Sequence, residues 1–354
     1  MKALVLCAGK GTRLRPLTDS IPKPLVPVAN RPILFYILDQ IKNIGITEIG
    51  IVVSPENKKQ IEDKIGDGRN WEANIKYIVQ TEPKGLAHAL IVSENFLNDS
   101  PFLLFLGDNL IKGNLLGVVN RFRVNNCSAL ILLKEVPDPC MFGVAELDNV
   151  GKVIRLSEKP KEPRSNLAMV GIYLFTPLIH RATKQIRPSW RNELEITDAI
   201  QWLLENEQSI DSETIRGWWL DTGKKEDLLV ANRIILEESC ERNVRDNVDI
   251  NSQIIGKVDI AEEAKVVNSI IHGPVRIAAG CDIDNSDIGP FTSIGDDTKI
   301  DSSSIENSII LDKCRIISSH LKDSVIGKNC EVIGKSHFKE KIRLFIGSYS
   351  KIEL

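Results

Sequence analysis

Ala3-Leu4-Val5-Leu6-Cys7-Ala8-Gly9-Lys10-Gly11-Thr12-Arg13-Leu14-Arg15-Pro16-Leu17-Thr18 is the stretch that decides the fold. Ala3 to Leu6 is an apolar run of strand length. It is too short for a secretory leader, and Gly9-Lys10-Gly11 ends it at once. A strand that runs into Gly-x-Gly and then meets Arg13 and Lys23 suits a phosphate ligand. The glycines let backbone N–H groups come close to phosphate oxygens, and the cations offset their charge. Two familiar phosphate loops are excluded. Leu14 stands where a dinucleotide fingerprint needs its third glycine, and no Gly-Lys-Ser/Thr closes a Walker A loop.

Outward from this turn, strand-like and helical patterns alternate. Ile33, Leu34, Ile37, Leu38, Ile41 and Ile44 recur at helical spacing behind Pro32. Glu48 to Val53 reads as a strand, Lys58 to Ile65 as a helix, Ile75 to Val79 as a strand and Leu86 to Phe96 as a helix. Phe102 to Leu106 is a fully apolar strand that stops at Gly107-Asp108. This order predicts an α/β fold with a doubly wound, mostly parallel, Rossmann-like sheet. Ligands of such sheets lie beyond the C-terminal strand ends, where Gly9-Lys10-Gly11 and Gly107-Asp108 both fall.

After about residue 245 the helical period disappears. Aliphatic residues return every five or six positions: Ile260, Val266, Ile271, Ile277, Ile283, Ile288, Ile294, Ile300, Ile305, Ile310, Ile316, Leu321, Ile326 and Val332. Hexapeptide-like repeats of this kind predict a parallel β-helix whose coils bury one another's apolar faces. The expected organisation is 1–241 for the first domain and 242–354 for the repeat domain. Lys224 to Cys240 reads as a helix bridging them. From Ser336 the repeat is lost, and a cap on the stack is expected.

The bulk composition fits this picture. The chain has 354 residues, enough for two domains, and a net charge of −3, which indicates no basic surface for nucleic acid. No apolar stretch is long enough to cross a bilayer. The cysteines at 7, 127, 140, 240, 281, 314 and 330 form no Cys-x-x-Cys pair and are odd in number, which fits buried thiols in a reducing cytoplasm. The histidines at 88, 180, 272, 320 and 337 show no metal-binding spacing.

A set of short motifs makes a resemblance specific. Gly9-x-Gly11-Thr12-Arg13-Leu14-x-Pro16-x-Thr18 is followed by Lys23-Pro24-Leu25-x-Pro27-Val28 and by Gln80-Thr81-Glu82-Pro83-Lys84-Gly85-Leu86-Ala87. Then come Gly107-Asp108-Asn109, Phe142-Gly143-Val144, Glu158-Lys159-Pro160, Val170-Gly171-Ile172-Tyr173 and Trp219-Leu220-Asp221-Thr222-Gly223. In this order, over residues 1 to about 240, they resemble the sugar-phosphate nucleotidyltransferases. The nearest likeness is to the long-form glucose-1-phosphate thymidylyltransferases, which carry an added C-terminal left-handed β-helix. Each motif alone has a plainer reading, a turn or a solvated pair.

The resemblance implies transfer of a nucleotidyl group from dTTP to glucose 1-phosphate, with release of pyrophosphate and with Mg²⁺ as cofactor. Ala8, Gly9, Gly11, Thr12 and Arg13 are then the triphosphate site, with Lys23 on phosphate near the reacting centre. Gln80 and Gly85 are the base-reading residues, Gln80 offering donor and acceptor and Gly85 leaving room for the base. Asp108 and Asp221 are the metal pair. Asn109, Gly143, Glu158, Lys159 and Val170 are the sugar-phosphate residues, Lys159 taking the phosphate and Glu158 the hydroxyls. Arg13, Lys23, Asp108, Lys159 and Asp221 form the catalytic set. Of Trp218 and Trp219, either could wall the sugar pocket, and core packing is expected for at least one.

Lys23-Pro24-Leu25 departs from the Lys-Gln-Leu of many thymidylyltransferases and is more usual in uridylyl- and guanylyltransferases, which stay open as the alternative. Acyl transfer in the β-helix, with His272 or His320 as base, is a second reading. A non-catalytic regulatory homologue is a third, disfavoured because the phosphate and metal residues are all present. Stacked β-helix prisms also offer flat faces for a homo-oligomer, a trimer above all.

Overall fold

The structure, a computed structural model, describes residues 1–244, 247–335 and 340–354. The chain divides into two compact units: Met1–Gly9 with Leu34–Asp221, and Lys10–Ile33 with Thr222–Leu354.

The first unit is built on a nine-stranded sheet. Its parallel half comprises β1 (Lys2–Leu6), β2 (Glu48–Val53), β3 (Asn74–Val79) and β4 (Phe102–Leu106), in the order β3-β2-β1-β4. Helices α1 (Ile33–Asn43), α2 (Lys58–Ile65) and α3 (Leu86–Val92) connect them. Ile33, Leu34, Ile37, Leu38 and Ile41 are fully buried, as the stripe on α1 requires. Each such side chain contributes about 1.5–3 kcal/mol by leaving water. The helix expected over 86–96 is broken. Ser93 is buried and its hydroxyl donates back to Ala89 O at 2.7 Å, ending α3, and a short second helix follows at Glu94–Leu97.

Beyond β4 the sheet turns antiparallel. β5 (Asn109–Ile111) leaves the sheet, and β6 (Ala129–Glu135), β7 (Gly143–Leu147), β8 (Val153–Glu158) and β9 (Leu167–Phe175) extend it. β9 pairs antiparallel with β4, β6 and β7, and β8 pairs with β7. After α4 (Ile196–Glu205), β10 (Ile210–Thr214) joins β6 in parallel, and β11 (Trp219–Asp221) pairs antiparallel with β5. The half that carries the glycine turns is therefore all parallel, and the second half is antiparallel except for β10 on β6.

The second unit holds a three-faced parallel β-helix, the architecture of the left-handed class. On one face Ile260, Ile277, Ile294, Ile310, Ile326 and Ile346 are register partners. On another the column is Val266, Ile283, Ile300, Ile316, Val332 and Ile352, and on the third Ile254, Ile271, Ile288, Ile305 and Leu321. The expected aliphatic residues are thus the inward rows, and they form one buried cluster. Early coils span 17 residues and later ones 16, which accounts for the five-residue steps. Corners are made by residues such as Asn268, Asn285, Asn307 and Asn329 at positive φ, a region Asn tolerates. Along one corner Ser252, Ser269, Ser286 and Ser303 each accept through Oγ from the backbone N–H of the serine one coil on, Ser269, Ser286, Ser303 and Ser319, at 3.0–3.1 Å.

The C-terminal segment corrects one expectation. Ser336 to Lys339 lie outside the described residues, His337 among them, but Phe345–Ile346 and Lys351–Glu353 continue two faces in parallel register. The spacing lapses there, while Leu344, Ile346 and Ile352 still supply apolar side chains, so the cap is itself a partial coil.

The same unit contains the loop Lys10–Ile33 and helix α5 (Lys225–Ser239). Ala29 and Asn30, both at positive φ, turn a hairpin between Pro27–Val28 and Arg31–Pro32. Fully buried Asn232 on α5 accepts from Ala29 N at 2.7 Å and from Ser293 Oγ at 2.9 Å, and donates to Phe291 O at 2.9 Å. Asn30 Nδ2 donates to Ile294 O at 2.7 Å and Arg276 to Ala29 O at 3.0 Å.

Candidate active site

In the first unit the β5–β11 ladder sets Asp221 opposite Asn109, so the second carboxylate lies across from the residue after Asp108. Asn109 links the two strands: its Nδ2 donates to Asp108 Oδ1 at 2.9 Å, and its Oδ1 accepts from Trp219 Nε1 at 2.5 Å. Burial, with the charge of Asp108 adding to it, pushes the Cys7 thiol up, so Cys7 stays protonated behind the carboxylate. No group of three or more His, Cys, Asp or Glu is placed to hold a metal among the described residues. A pair of carboxylates with few other protein donors fits Mg²⁺, which keeps water and phosphate oxygens in its shell.

Gly143 and Glu158 form the end pair of the β7–β8 ladder. Glu158 Oε2 accepts from Thr197 Oγ1 at 2.6 Å and Oε1 from Arg191 Nη2 at 3.2 Å. Burial holds the Glu158 carboxyl above the usual glutamate range; the Thr197 hydrogen bond pulls it down, Glu195 pushes it up, and Arg191 and Lys159 pull it down. Lys159 sits at φ 42°, its N–H donating to Phe142 O at 3.0 Å. The Phe142 ring meets Trp219 edge-on at 5.0 Å, which joins this cluster to Asn109. Val170 lies in β9 where the ladder to β6 slips, with its side chain buried, so only its backbone can serve a ligand.

The loop expected to read the base is more committed to itself than the sequence implied. Gln80 is buried, and its Nε2 donates to Gly85 O at 3.2 Å and to His88 Nδ1 at 3.0 Å. Burial, aided by Lys84, lowers the His88 pKa and keeps an acceptor nitrogen available. Gly85 has φ +97°, and a Cβ there would lie 2.5 Å from Leu194 O. Its glycine is demanded by the chain as well as by any base. Leu194 N donates to Lys84 O at 2.7 Å, and Ala87 N donates to Leu194 O at 3.0 Å.

Ala8 and Gly9 follow β1 directly. A Cβ at Gly9 would meet nothing within 4 Å, so open space faces that backbone. In the second unit Gly11 has φ +62°, and a Cβ on it would press on Lys23 and Thr18. Thr18 Oγ1 donates to Gly11 O at 2.8 Å. Thr12 and Arg13 are exposed and Lys23 is buried. The Arg13 guanidinium lies about 3.0 Å from where a Cβ on Gly223 would stand.

The structure thus brings together Asp108, Asn109 and Asp221, and separately Gly143, Glu158 and Lys159, within one unit. Core packing of a tryptophan is not found: Trp218 and Trp219 are both part-exposed. Trp219 opens β11, which lies in a two-stranded ladder outside the main sheet, and Trp218 precedes it. Sequence reasoning missed Arg191, Glu195 and Thr197, whose only signal was an acidic run ahead of the α4 apolar stripe.

The sequence profile of the nucleotidyl transferase family matches residues 2–238. The chain belongs to the nucleotidyl transferase family. A glucose-1-phosphate thymidylyltransferase of Streptomyces antibioticus is 46% identical to this nucleotidyl transferase over 100% of the chain and 99% of the relative. A low-salt glycan biosynthesis nucleotidyltransferase of Haloferax volcanii is 41% identical over 100% of each. A Bacillus anthracis structure proposed to be a glucose-1-phosphate thymidylyltransferase, in complex with sucrose, superimposes with a TM-score of 0.63 at 35% identity, covering 66% of this nucleotidyl transferase and 94% of that chain. No helix among the described residues of this nucleotidyl transferase is long and apolar enough to cross a membrane.

Proposed function

We propose that the protein joins dTTP to glucose 1-phosphate, giving dTDP-glucose and pyrophosphate. The observation that carries the reaction type is the β5–β11 ladder, which sets Asp221 opposite the residue that follows Asp108. The substrate pair is supported by the end-to-end likeness to the Streptomyces thymidylyltransferase, repeat domain included.

Two polyanions meet in this reaction, so catalysis is chiefly positioning and charge neutralisation. Arg13 and Lys23 hold the triphosphate with the backbone at Ala8, Gly9, Gly11 and Thr12. Gln80 and Gly85 read the base, the Gln80 donor being spent within its own loop. Lys159 takes the sugar phosphate, while Glu158, Asn109 and backbone groups at Gly143 and Val170 take the sugar. A phosphate oxygen of the sugar phosphate then attacks the α-phosphorus in line as pyrophosphate leaves. Members of the family use a divalent cation, and we infer Mg²⁺ on Asp108 and Asp221. When bound, it would supply positive charge that offsets the charge on the phosphates and on the leaving group. We also place the catalytic domain at 1–241 and the repeat domain at 242–354. A cytoplasmic setting is supported by seven free cysteines, six of them buried. Assembly through the β-helix, as a trimer, is supported by Ile255 and Ile270, exposed on one face of the first coils.

Pyrophosphate release with Mg²⁺ and glucose 1-phosphate, across dTTP, UTP, GTP, ATP and CTP, tests the proposal. Preference for dTTP is expected. Preference for UTP or GTP would move the substrate and keep the mechanism; no turnover with glucose, mannose or N-acetylglucosamine 1-phosphate would overturn it.

A further inference from the structure

Glu195 is 2% exposed, yet no step above uses it. Its carboxylate accepts from Ser189 Oγ at 2.6 Å and from Arg191 Nε at 3.1 Å and Nη2 at 2.7 Å. The same Arg191 Nη2 reaches Glu158 Oε1 at 3.2 Å and lies 3.3 Å from Glu193 Oε2. Two residues past Glu195, Thr197 donates to the other Glu158 oxygen. Segment 189–197 therefore grips both oxygens of the sugar-reading carboxylate, and its guanidinium is held in place from the far side by a buried acid.

We propose that Arg191 and Glu195 are positioning residues for Glu158: Arg191 holds it in its orientation and as an ionised hydrogen-bond acceptor for the sugar, and Glu195 seats the Arg191 guanidinium. The inference rests on the reading of Glu158 as the residue that takes the sugar hydroxyls. A carboxylate accepts from hydroxyls through both oxygens, whereas its protonated form gives up one acceptor. Burial favours the protonated form, so a fixed cation is needed against it. The charges facing Glu158 are Arg191, Lys159 and Glu195, with the buried Tyr173 phenol beside them. Arg191 and Glu195 act on Glu158 with opposite sign. Removing the Arg191 cation raises the Glu158 pKa. Replacing Glu195 by Gln takes away a repulsion and so lowers it, while the amide oxygen can still accept from Arg191. The loop at Gly85 is tied to this segment through the Leu194 backbone, not these side chains, so their replacement is expected to leave nucleotide affinity little changed.

The test is the pH profile of kcat/KM for glucose 1-phosphate at saturating dTTP, with the full-length wild type, Arg191→Met, Arg191→Lys and Glu195→Gln. Arg191→Met is expected to raise KM for glucose 1-phosphate by about tenfold or more, the worth of one charge-assisted hydrogen bond. KM for dTTP stays within about twofold, less than a neutral hydrogen bond is worth. Its acid limb moves to higher pH, Arg191→Lys recovers part of the loss, and the Glu195→Gln limb moves to lower pH. Limbs that move together or not at all, or a matching rise in KM for dTTP, overturn the inference. If Arg191→Met does not fold, Glu195→Gln decides alone, since an unmoved or raised limb sinks the idea. A wild type that turns over another sugar phosphate is tested on that one. An inactive wild type fells the functional reading and this inference together, while an active wild type with unmoved limbs fells this inference only.

Discussion

Asn232 Oδ1 accepts the backbone N–H of Ala29 at 2.7 Å, and with it α5 holds the hairpin at the end of the loop that carries Arg13 and Lys23. Both residues are fully buried, so the bond is shielded from water. Asn232→Leu leaves the Ala29 N–H, the Ser293 hydroxyl and the Phe291 carbonyl unmatched. The expected cost is about 2–3 kcal/mol of stability, seen as a lower denaturation midpoint. KM for dTTP is expected to rise with it, because the loop's far end is no longer held. A variant with wild-type stability and wild-type KM would refute this.

Asp108→Ala and Asp221→Ala are each expected to lower kcat by about 10²–10³-fold, the scale of losing one charge-stabilising group. Chelation of divalent cations should abolish turnover and added Mg²⁺ restore it. Melting temperature should change little, since these groups serve the reaction. Retention of more than a tenth of the wild-type rate by either variant would count against the pair.

His180 is buried with neither ring nitrogen hydrogen-bonded among the described residues, and its ring stacks on Phe102 at 5.9 Å. Burial lowers its pKa in the folded protein from 6.5. The unfolded chain therefore binds the proton more readily, and stability falls as pH drops below about 6.5. Urea denaturation of His180→Leu between pH 5 and 8 should show a shallower decline just below 6.5, with the part due to His88 remaining. An unchanged slope would assign it to other groups.

Gly85→Ala puts a Cβ against the Leu194 backbone at a positive φ. The loop must shift, with a loss of about 1–3 kcal/mol and a raised KM for dTTP. Initial-rate kinetics with the nucleotide varied check this; an unaltered KM would detach Gly85 from nucleotide reading.

Much of the fold was legible because its signals are periodic. The α1 stripe and the aliphatic rows from Ile260 to Val332 each follow from a spacing that one face must bury. The break at Ser93 was not, because a serine inside an apolar helix reveals its back-bond only in three dimensions. The antiparallel half of the sheet was not foreseen: Asp148-Asn149-Val150-Gly151 turns β7 back onto β8, but no such turn sets the directions of β6 and β9. In the site, Asp108 was readable at the end of an apolar strand, while Asp221 was singled out only through the family resemblance; the β5–β11 ladder sets it opposite Asn109. Arg191 and Glu195 were not, because their role is set by contacts across the fold. Gly85 was singled out for room beside a base, while its conformation is also dictated by Leu194, far along the sequence.

The serine row of the β-helix has a consequence for how such a chain can change length. Each Oγ from Ser252 to Ser303 receives an N–H from the serine 16 or 17 residues on, so every coil presents the next with the same fitting. A whole coil inserted or deleted between Ser286 and Ser303 reconnects donor to acceptor and leaves the inward aliphatic rows in step. A gain or loss of a few residues there misaligns both at once. The prism is thus a telescoping rod, extendable in units of one turn and resistant to smaller edits.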